Sequence, residues 1–227
     1  MPQTLFTSRN GGVSAAPFDS MNLALHVGDD PKAVSVNRAL LAKQIGISSD
    51  QLYFMNQVHG RNVAVIDEYS NSLNEPTADA LFTRSKGKAL AVLVADCTPL
   101  LLKSERAIAA VHIGRRGLVA NVLEATLRLF DESGVSRNEI SAELGPSICG
   151  DCYEVDLKTY TEVVAKTPRA ATTIESHCLD ISSGLKSQLE SAEIAFTSSE
   201  ICVKQTSGFF SYRREGQTGR QAGVIWL

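Results

Sequence analysis

The apolar residues of this chain fall into short runs, and the two clearest runs stand close together near its centre. Residues 89–95 and 107–111 consist only of Ala, Val, Ile and Leu, a pattern typical of strands buried in a core. Cys97 follows the first run after one aspartate, and His112 directly follows the second. Side chains at the ends of core strands have rigid support, so Cys97 and His112 are candidate functional residues.

Four other segments place apolar residues on one face of a helix or follow a helix-capping aspartate, and each is predicted to be helical. They are residues 31–44, 118–133, 156–166 and 180–192. Asp30 and Pro31 are favoured at a helix start, and Gly46 and Gly134 follow two of the predicted helix ends.

The remaining β-type runs are shorter and lie beside turn residues. Residues 51–67 are predicted to form a hairpin or bulged connection, with His59 near its tip. Residues 78–83 form a predicted strand or turn, in which Asp79 is a candidate hydrogen-bond acceptor behind a functional group. Residues 207–227 are predicted to hold two strands around a glycine-rich turn.

Length and composition indicate a single globular domain over residues 1–227, of mixed α and β structure. The chain is 44% hydrophobic and 21% charged, which provides enough apolar residues for a full core. Its net charge of -3 offers no basic field for nucleic acid or an anionic membrane. It has no apolar run near the roughly 20 residues of a membrane span and no signal-peptide pattern, so a cytoplasmic protein is expected. Its five cysteines are expected to be reduced.

A candidate anion site follows His112. The sequence continues into Arg115, Arg116 and Gly117, directly before the helix predicted from residue 118. Free backbone N–H groups, the positive end of a helix and two guanidinium groups would together bind a phosphate. The alternative is an ordinary helix cap with two solvated arginines.

One thiol and two imidazoles, those of Cys97, His59 and His112, match a zinc or copper site with three protein ligands. Three ligands leave one position open for water or substrate, which favours catalysis. Cys97 could instead act without metal as a nucleophile activated by His112 or His59, and a metal-stabilised binding module is a third hypothesis. The spacing of these residues does not separate the three.

Cys149 and Cys152 have C-x-x-C spacing, which suits a redox pair or half of a structural zinc site. The chain has no second C-x-x-C pair, and Cys178 and Cys202 could complete a four-thiolate set only by folding together with the first pair. A tight turn with incidental thiols is the favoured interpretation, so neither Cys149 nor Cys152 is assigned a role.

Several motifs in the same order resemble one known family, described as YfiH-like, as laccase-domain multicopper polyphenol oxidase and as purine nucleoside phosphorylase. These motifs are NLALHVGDDP, QVHG, ADALFT, VADCTPLLL, AAVHIGRRG, ELGPSICGDCYEV and FFSYRREGQTGRQAGVIWL. The resemblance covers nearly the whole chain. It implies an α+β fold of mixed sheets flanked by helices, related to toxins with a Cys–His pair, and one zinc ion bound by His59, Cys97 and His112.

The resemblance also implies an activity. It suggests phosphorolysis of adenosine, inosine and methylthioadenosine, with adenosine deamination as a second reaction. Arg116 and the backbone at Gly117 are natural candidates to hold the phosphate. Arg115 stands where the family commonly has tryptophan, which is expected to change purine affinity or to favour phosphate.

Two alternatives stay open at this point. A full multicopper oxidase needs many imidazoles, whereas a single copper ion on the same three ligands could support some phenol oxidation. A metal-free Cys–His hydrolase or amidase, linked in the family to peptidoglycan precursors, is the other alternative. The chain has only four histidines, His26, His59, His112 and His177.

Overall fold

Two β-sheets stacked face to face, with helices on both outer sides, form the architecture of the computed structural model, which describes residues 1–173 and 175–227. The strands are Gln3–Phe6 (β1), Leu52–Tyr53 (β2), Val63–Val65 (β3), Ala80–Thr83 (β4), Ala89–Val94 (β5), Thr98–Lys103 (β6), Ile108–Ile113 (β7), Ser141–Leu144 (β8), Ala195–Ser198 (β9) and Gln221–Trp226 (β10). The α-helices are Pro31–Gln44 (α1), Arg115–Val119 (α2), Val122–Glu132 (α3), Leu157–Lys166 (α4), Ile181–Ser191 (α5) and Tyr212–Glu215 (α6).

Both sheets are mixed. The first has the strand order β1-β10-β5-β2, and the second has the order β3-β4-β7-β6-β8-β9. The pairs β2–β5, β3–β4 and β8–β9 are parallel, and the other pairs are antiparallel. This confirms the expected fold of mixed sheets flanked by helices.

Three apolar layers hold the sheets and helices together. The layer between the sheets includes Leu90, Val92, Leu101, Ile108 and Ile225. The outer face of the first sheet packs on α1, and the outer face of the second packs on α3, α4 and α5. Because β5 and β7 are covered on both sides, all of their residues are buried, which explains their continuous apolar runs.

The predicted helices are confirmed, with one change. α1 begins and ends as predicted, and Asp156 and Asp180 cap α4 and α5. The helix predicted over residues 118–133 is divided into α2 and α3 by Asn121, which has a left-handed φ of 56°. Asparagine tolerates this conformation, and its side chain accepts the N–H of Glu124 to begin α3. α2 begins at Arg115, with Gly114 as its N-cap, which is earlier than predicted.

Two predictions about strands are wrong. Residues 51–67 do not form a hairpin, because β2 pairs with β5 in the first sheet and β3 pairs with β4 in the second. His59 lies in the segment that crosses between the sheets. The other error concerns residues 207–227, in which β10 forms but the other predicted strand is replaced by the short helix α6. Ser211 caps this helix by accepting the N–H of Arg214, which favours a turn over an extended strand.

No helix within the described ranges is long and apolar enough to cross a bilayer.

The layer between the sheets is expected to carry much of the stability. Leu101 on β6 is fully buried in it, so Leu101→Ala should lower the free energy of unfolding by about 2–5 kcal/mol through lost burial and a residual cavity. Leu73 is 87% exposed, and Leu73→Ala should change stability by less than about 0.5 kcal/mol. Urea unfolding of both variants measures the difference, and equal destabilisation would contradict the assignment of this core.

Candidate functional site

Three side chains from three separate segments converge beside the ends of the central strands. Cys97 lies in the turn between β5 and β6, His112 is the next-to-last residue of β7, and His59 comes from the segment crossing between the sheets. One ligand atom from each lies within 4.8 Å of the other two. The two imidazole rings meet edge to face, with centroids 4.7 Å apart. The structure therefore brings together the three residues selected from the sequence.

Asp79, directly before β4, fixes two of these residues. Its buried carboxylate accepts the Nδ1–H of His112 at 2.9 Å. It also accepts the backbone N–H groups of His59 at 2.8 Å and Gly60 at 2.6 Å. Burial opposes ionisation of Asp79, but these hydrogen bonds outweigh it and lower its pKa. Because Nδ1 of His112 is used in this way, its Nε2 is left to face the cluster.

Gly114, directly after β7, has no side chain, and this leaves room for His59 and Cys97 to lie close together. A Cβ atom at this position would lie 3.0 Å from Nδ1 of His59 and 3.1 Å from Sγ of Cys97. The donor set of one thiol and two imidazoles, with a carboxylate behind one imidazole, fits zinc or copper. These three residues fit a bound metal ion, and they are also placed for Cys–His chemistry.

The two imidazoles have opposite pKa shifts. Burial disfavours the charged form of His112, but the Cys97 thiol and the Asp79 carboxylate outweigh burial and raise its pKa to about 9. Burial, followed by the charge of His112, lowers the pKa of His59. At pH 7 the imidazole of His59 is therefore neutral, whereas the protonation of His112 depends on its acidic neighbours, Cys97 and Asp79.

Asp96 joins the Cys97 turn to two distant segments. Its backbone has a φ of 99°, a conformation that is strained for a residue other than glycine. Its carboxylate accepts the Ser211 hydroxyl at 2.6 Å and the backbone N–H of Arg213 at 2.7 Å. Its carbonyl accepts the N–H of Ile148 at 2.9 Å. The position of Cys97 is thus coupled to the segments around residues 148 and 211–213.

A cavity of about 400 Å³ opens over the cluster. Its walls combine two arginines, two tyrosines, polar side chains and the apolar end of β5, contributed by Arg213, Arg220, Tyr153, Tyr212, His26, Gln57, Leu93, Val94, Ala95 and Asp96. Partial burial, together with the charge of Arg220, lowers the pKa of His26. The volume is within the range of small-molecule sites.

The residues predicted to bind phosphate lie beside this cavity. Arg115 and Arg116 line clefts next to α2 and α4, and the Arg115 cleft shares Tyr153 and Arg213 with the cavity over the cluster. Gly117 is buried within α2. The assignment of phosphate to these three residues stays a prediction, since the cations lining the cavity are Arg213 and Arg220.

Sequence reasoning left His26 out of the site and missed Arg213 and Arg220, because no spacing connects these residues with Cys97. Asp96 bonds to Ser211 across 115 positions of the chain. The only available signal was the density of arginines in the C-terminal segment, which lies in one of the family motifs.

A second cluster consists of thiols alone. Sγ atoms of Cys149, Cys152 and Cys202 lie within 4.8 Å of one another. Cys178 is outside this cluster, and its thiol lies 3.8 Å from the carbonyl oxygen of Asp151. All five cysteines are within the described residues and carry free thiols. The cysteine that lies beside the C-x-x-C pair is therefore Cys202 and not Cys178.

Two solved structures share the whole fold of this chain. A protein of the DUF152 family from Neisseria meningitidis superposes with a TM-score of 0.88 at 36% identity, covering 100% of this chain and 94% of its own. YfiH from Bacillus licheniformis superposes with a TM-score of 0.90 at 25% identity, covering 100% of this chain and 92% of its own. The fold is therefore that of the YfiH proteins.

Sequence relatives carry an enzyme name. A purine nucleoside phosphorylase of Streptomyces coelicolor is 44% identical over 98% of this chain and 94% of its own length. One from Corynebacterium glutamicum is 45% identical over 98% of this chain and 93% of its own length. The family model described as multi-copper polyphenol oxidoreductase laccase matches residues 3–227. This chain therefore belongs to the multi-copper polyphenol oxidoreductase laccase family, whose members include relatives named purine nucleoside phosphorylase.

Proposed function

We propose that this protein is a zinc-dependent purine nucleoside phosphorylase that acts on adenosine, inosine and methylthioadenosine, with adenosine deamination as a second reaction. The observation that carries the proposal is one cavity with the Cys97, His59 and His112 cluster at its floor and cations and aromatic rings in its walls. The relatives named purine nucleoside phosphorylase support the same reaction class.

His59, Cys97 and His112 would hold the zinc ion. A zinc ion bound there supplies Lewis-acid polarisation of a substrate oxygen or of water, the chemistry that phosphorolysis and deamination can share. Asp79 keeps Nδ1 of His112 occupied, and its bonds to the backbone of His59 and Gly60 hold the second imidazole in place. Copper on the same ligands is the alternative for an oxidase reaction.

Arg220 and Arg213 are the groups we assign to phosphate. Neither forms a salt bridge in the part of the chain that the structure describes. Arg220 donates through one nitrogen to the carbonyls of Thr218 and Gly219 at 2.8 and 2.9 Å, which orients its guanidinium. A guanidinium without a carboxylate partner is suited to a bidentate phosphate contact. Arg116, predicted from the sequence, lies in a neighbouring cleft.

Tyr153 and Tyr212 are suited to binding the purine base, because aromatic rings stack on its faces. Gln57 keeps the floor of the cavity rigid by exchanging two hydrogen bonds of 2.8 Å with the backbone of Leu93. In phosphorolysis a phosphate oxygen bonds to C1′ of the ribose while the C1′–N9 bond breaks, and its electron pair leaves with the purine, which takes up a proton. Fixed walls hold these reactants in line.

The decisive experiment follows inosine with and without phosphate, using zinc-loaded protein. We expect hypoxanthine and ribose 1-phosphate only when phosphate is present, and removal of zinc with a chelator should abolish both products until zinc is restored. If no phosphate-dependent product forms, the proposed function is wrong. Activity that survives chelation and is lost on alkylation of Cys97 would instead identify a metal-free Cys–His enzyme.

Gly114→Ala tests whether the closeness of the cluster matters. The added Cβ would lie 3.0 Å from Nδ1 of His59 and 3.1 Å from Sγ of Cys97, so both side chains must shift away. We expect roughly 10- to 100-fold weaker zinc binding, similar to the loss of a residue supporting a metal ligand. Gly208→Ala is the matched control, because a Cβ there comes no closer than 4.0 Å to Asn10. Zinc competition against a fluorescent chelator measures both affinities in a Cys152→Ser background, which removes zinc binding by the separate thiol cluster, and equal affinities would argue against zinc binding by His59, Cys97 and His112.

Arg220→Gln tests the assignment of phosphate. Loss of a charged hydrogen bond of about 1.5–3 kcal/mol should lower kcat/KM for phosphate roughly 10- to 100-fold. The control is Arg116→Gln, an arginine outside the cavity, with thermal unfolding measured for both variants. A larger loss of kcat/KM for phosphate in Arg116→Gln would indicate that phosphate binds at the residues predicted from the sequence.

A further inference from the structure

The thiol cluster of Cys149, Cys152 and Cys202 has no part in the proposed reaction. Cys149 and Cys152 lie at the two ends of a turn closed by the bond from the N–H of Cys152 to the carbonyl of Cys149, at 3.1 Å. Cys202 comes from a segment that pairs with this turn through the bridge between Ser147 and Cys202. The backbone thus brings three sulfur atoms together from two segments of the chain.

The turn is held in place by close packing. A Cβ atom at Gly150 would lie 2.9 Å from Thr172 and 3.0 Å from Asp180, so only glycine allows the turn to pack this closely. Cys202 is buried, whereas Cys149 and Cys152 are partly exposed. An ion could therefore approach from solvent and be held against a buried sulfur.

Two of the three sulfur atoms, those of Cys202 and Cys152, accept hydrogen bonds of the kind found at metal-bound thiolates. The N–H of Cys149 donates to the Cys202 sulfur at 3.4 Å. The Gln205 side chain donates to the Cys152 sulfur at 3.5 Å. Hydrogen bonds to sulfur stabilise the thiolate form that binds metal.

We propose that Cys149, Cys152 and Cys202 form a second metal site, which binds a soft d10 cation, Zn²⁺ or Cu⁺. Thiolates are the ligands that these ions prefer. Each thiol gives up its proton to solvent on binding, and three metal–sulfur bonds form with no change in oxidation state. A disulfide between two of the three would leave the third sulfur unused, whereas one ion uses all three.

The position of this site gives it a structural role. Ile148, next to Cys149, donates to the carbonyl of Asp96, the residue before Cys97. Tyr153, next to Cys152, lines the cavity. A bound ion would therefore brace the turn that supports both the Cys97 segment and one wall of the cavity.

The test counts metal ions on the full chain. Reduced, metal-free protein is loaded under anaerobic conditions with Zn²⁺ in one arm and Cu⁺ in the other, and native mass spectrometry gives the stoichiometry. We expect two ions on the wild type, one on Cys152→Ser, one on Cys97→Ser and two on the control Cys178→Ser. Of Zn²⁺ and Cu⁺, the cation that the thiol cluster binds more tightly is assigned to this site.

Each outcome bears on one site. If Cys152→Ser binds as many ions as the wild type, the second site does not exist. An ion kept in Cys97→Ser but lost in Cys152→Ser supports the second site even if the proposed function fails. Cys149→Ser is a second variant that tests the same cluster, and circular dichroism checks that each variant is folded.

A second measurement uses Co²⁺-loaded protein, in which three of the four metal-bound thiolates belong to the thiol cluster. Cys152→Ser should therefore weaken the sulfur-to-metal absorption more than Cys97→Ser does. The reverse order would overturn the proposal.

Discussion

The site depends on one buried carboxylate. Asp79 is fully buried, and burying a charge is costly unless the charge is well paired. Here it receives the imidazole N–H of His112 and two backbone N–H groups of the crossing segment. The same bonds that make the carboxylate tolerable also bring β7 and the crossing segment together, so the charge and the geometry of the cluster are stabilised by one set of contacts.

Around this point the two sheets provide rigid support from both sides. β5 ends at the turn that carries Cys97, and β7 carries His112, and both strands are buried along their whole length. Asp96 then connects the turn to the C-terminal segment, which supplies Arg213 and Arg220 to the cavity wall. The cluster and the cavity wall are therefore coupled through hydrogen bonds that a single strained aspartate accepts.

The two descriptions of this family, laccase and phosphorylase, differ in what they require of the chain. The four histidines are too few for a blue-copper centre together with a trinuclear cluster. His59 and His112 belong to one cluster, His26 lines the cavity, and His177 lies against Tyr160. A cavity that holds two arginines beside one carboxylate, Asp96, whose oxygens already accept hydrogen bonds from Ser211 and Arg213, is easier to reconcile with a phosphate substrate than with a phenol.

The sequence by itself determined the elements and residues whose signals are local. Periodicity and capping residues defined α1, α4 and α5, and the apolar runs defined β5 and β7, because these patterns follow directly from burial of one face or both. The resemblance selected His59, Cys97 and His112. Tertiary structure alone decided that residues 51–67 connect two sheets, that Arg213 and Arg220 line the cavity, and that Cys202 joins Cys149 and Cys152. These features depend on contacts between segments far apart in the chain, and such contacts leave no periodic pattern in the residues that make them.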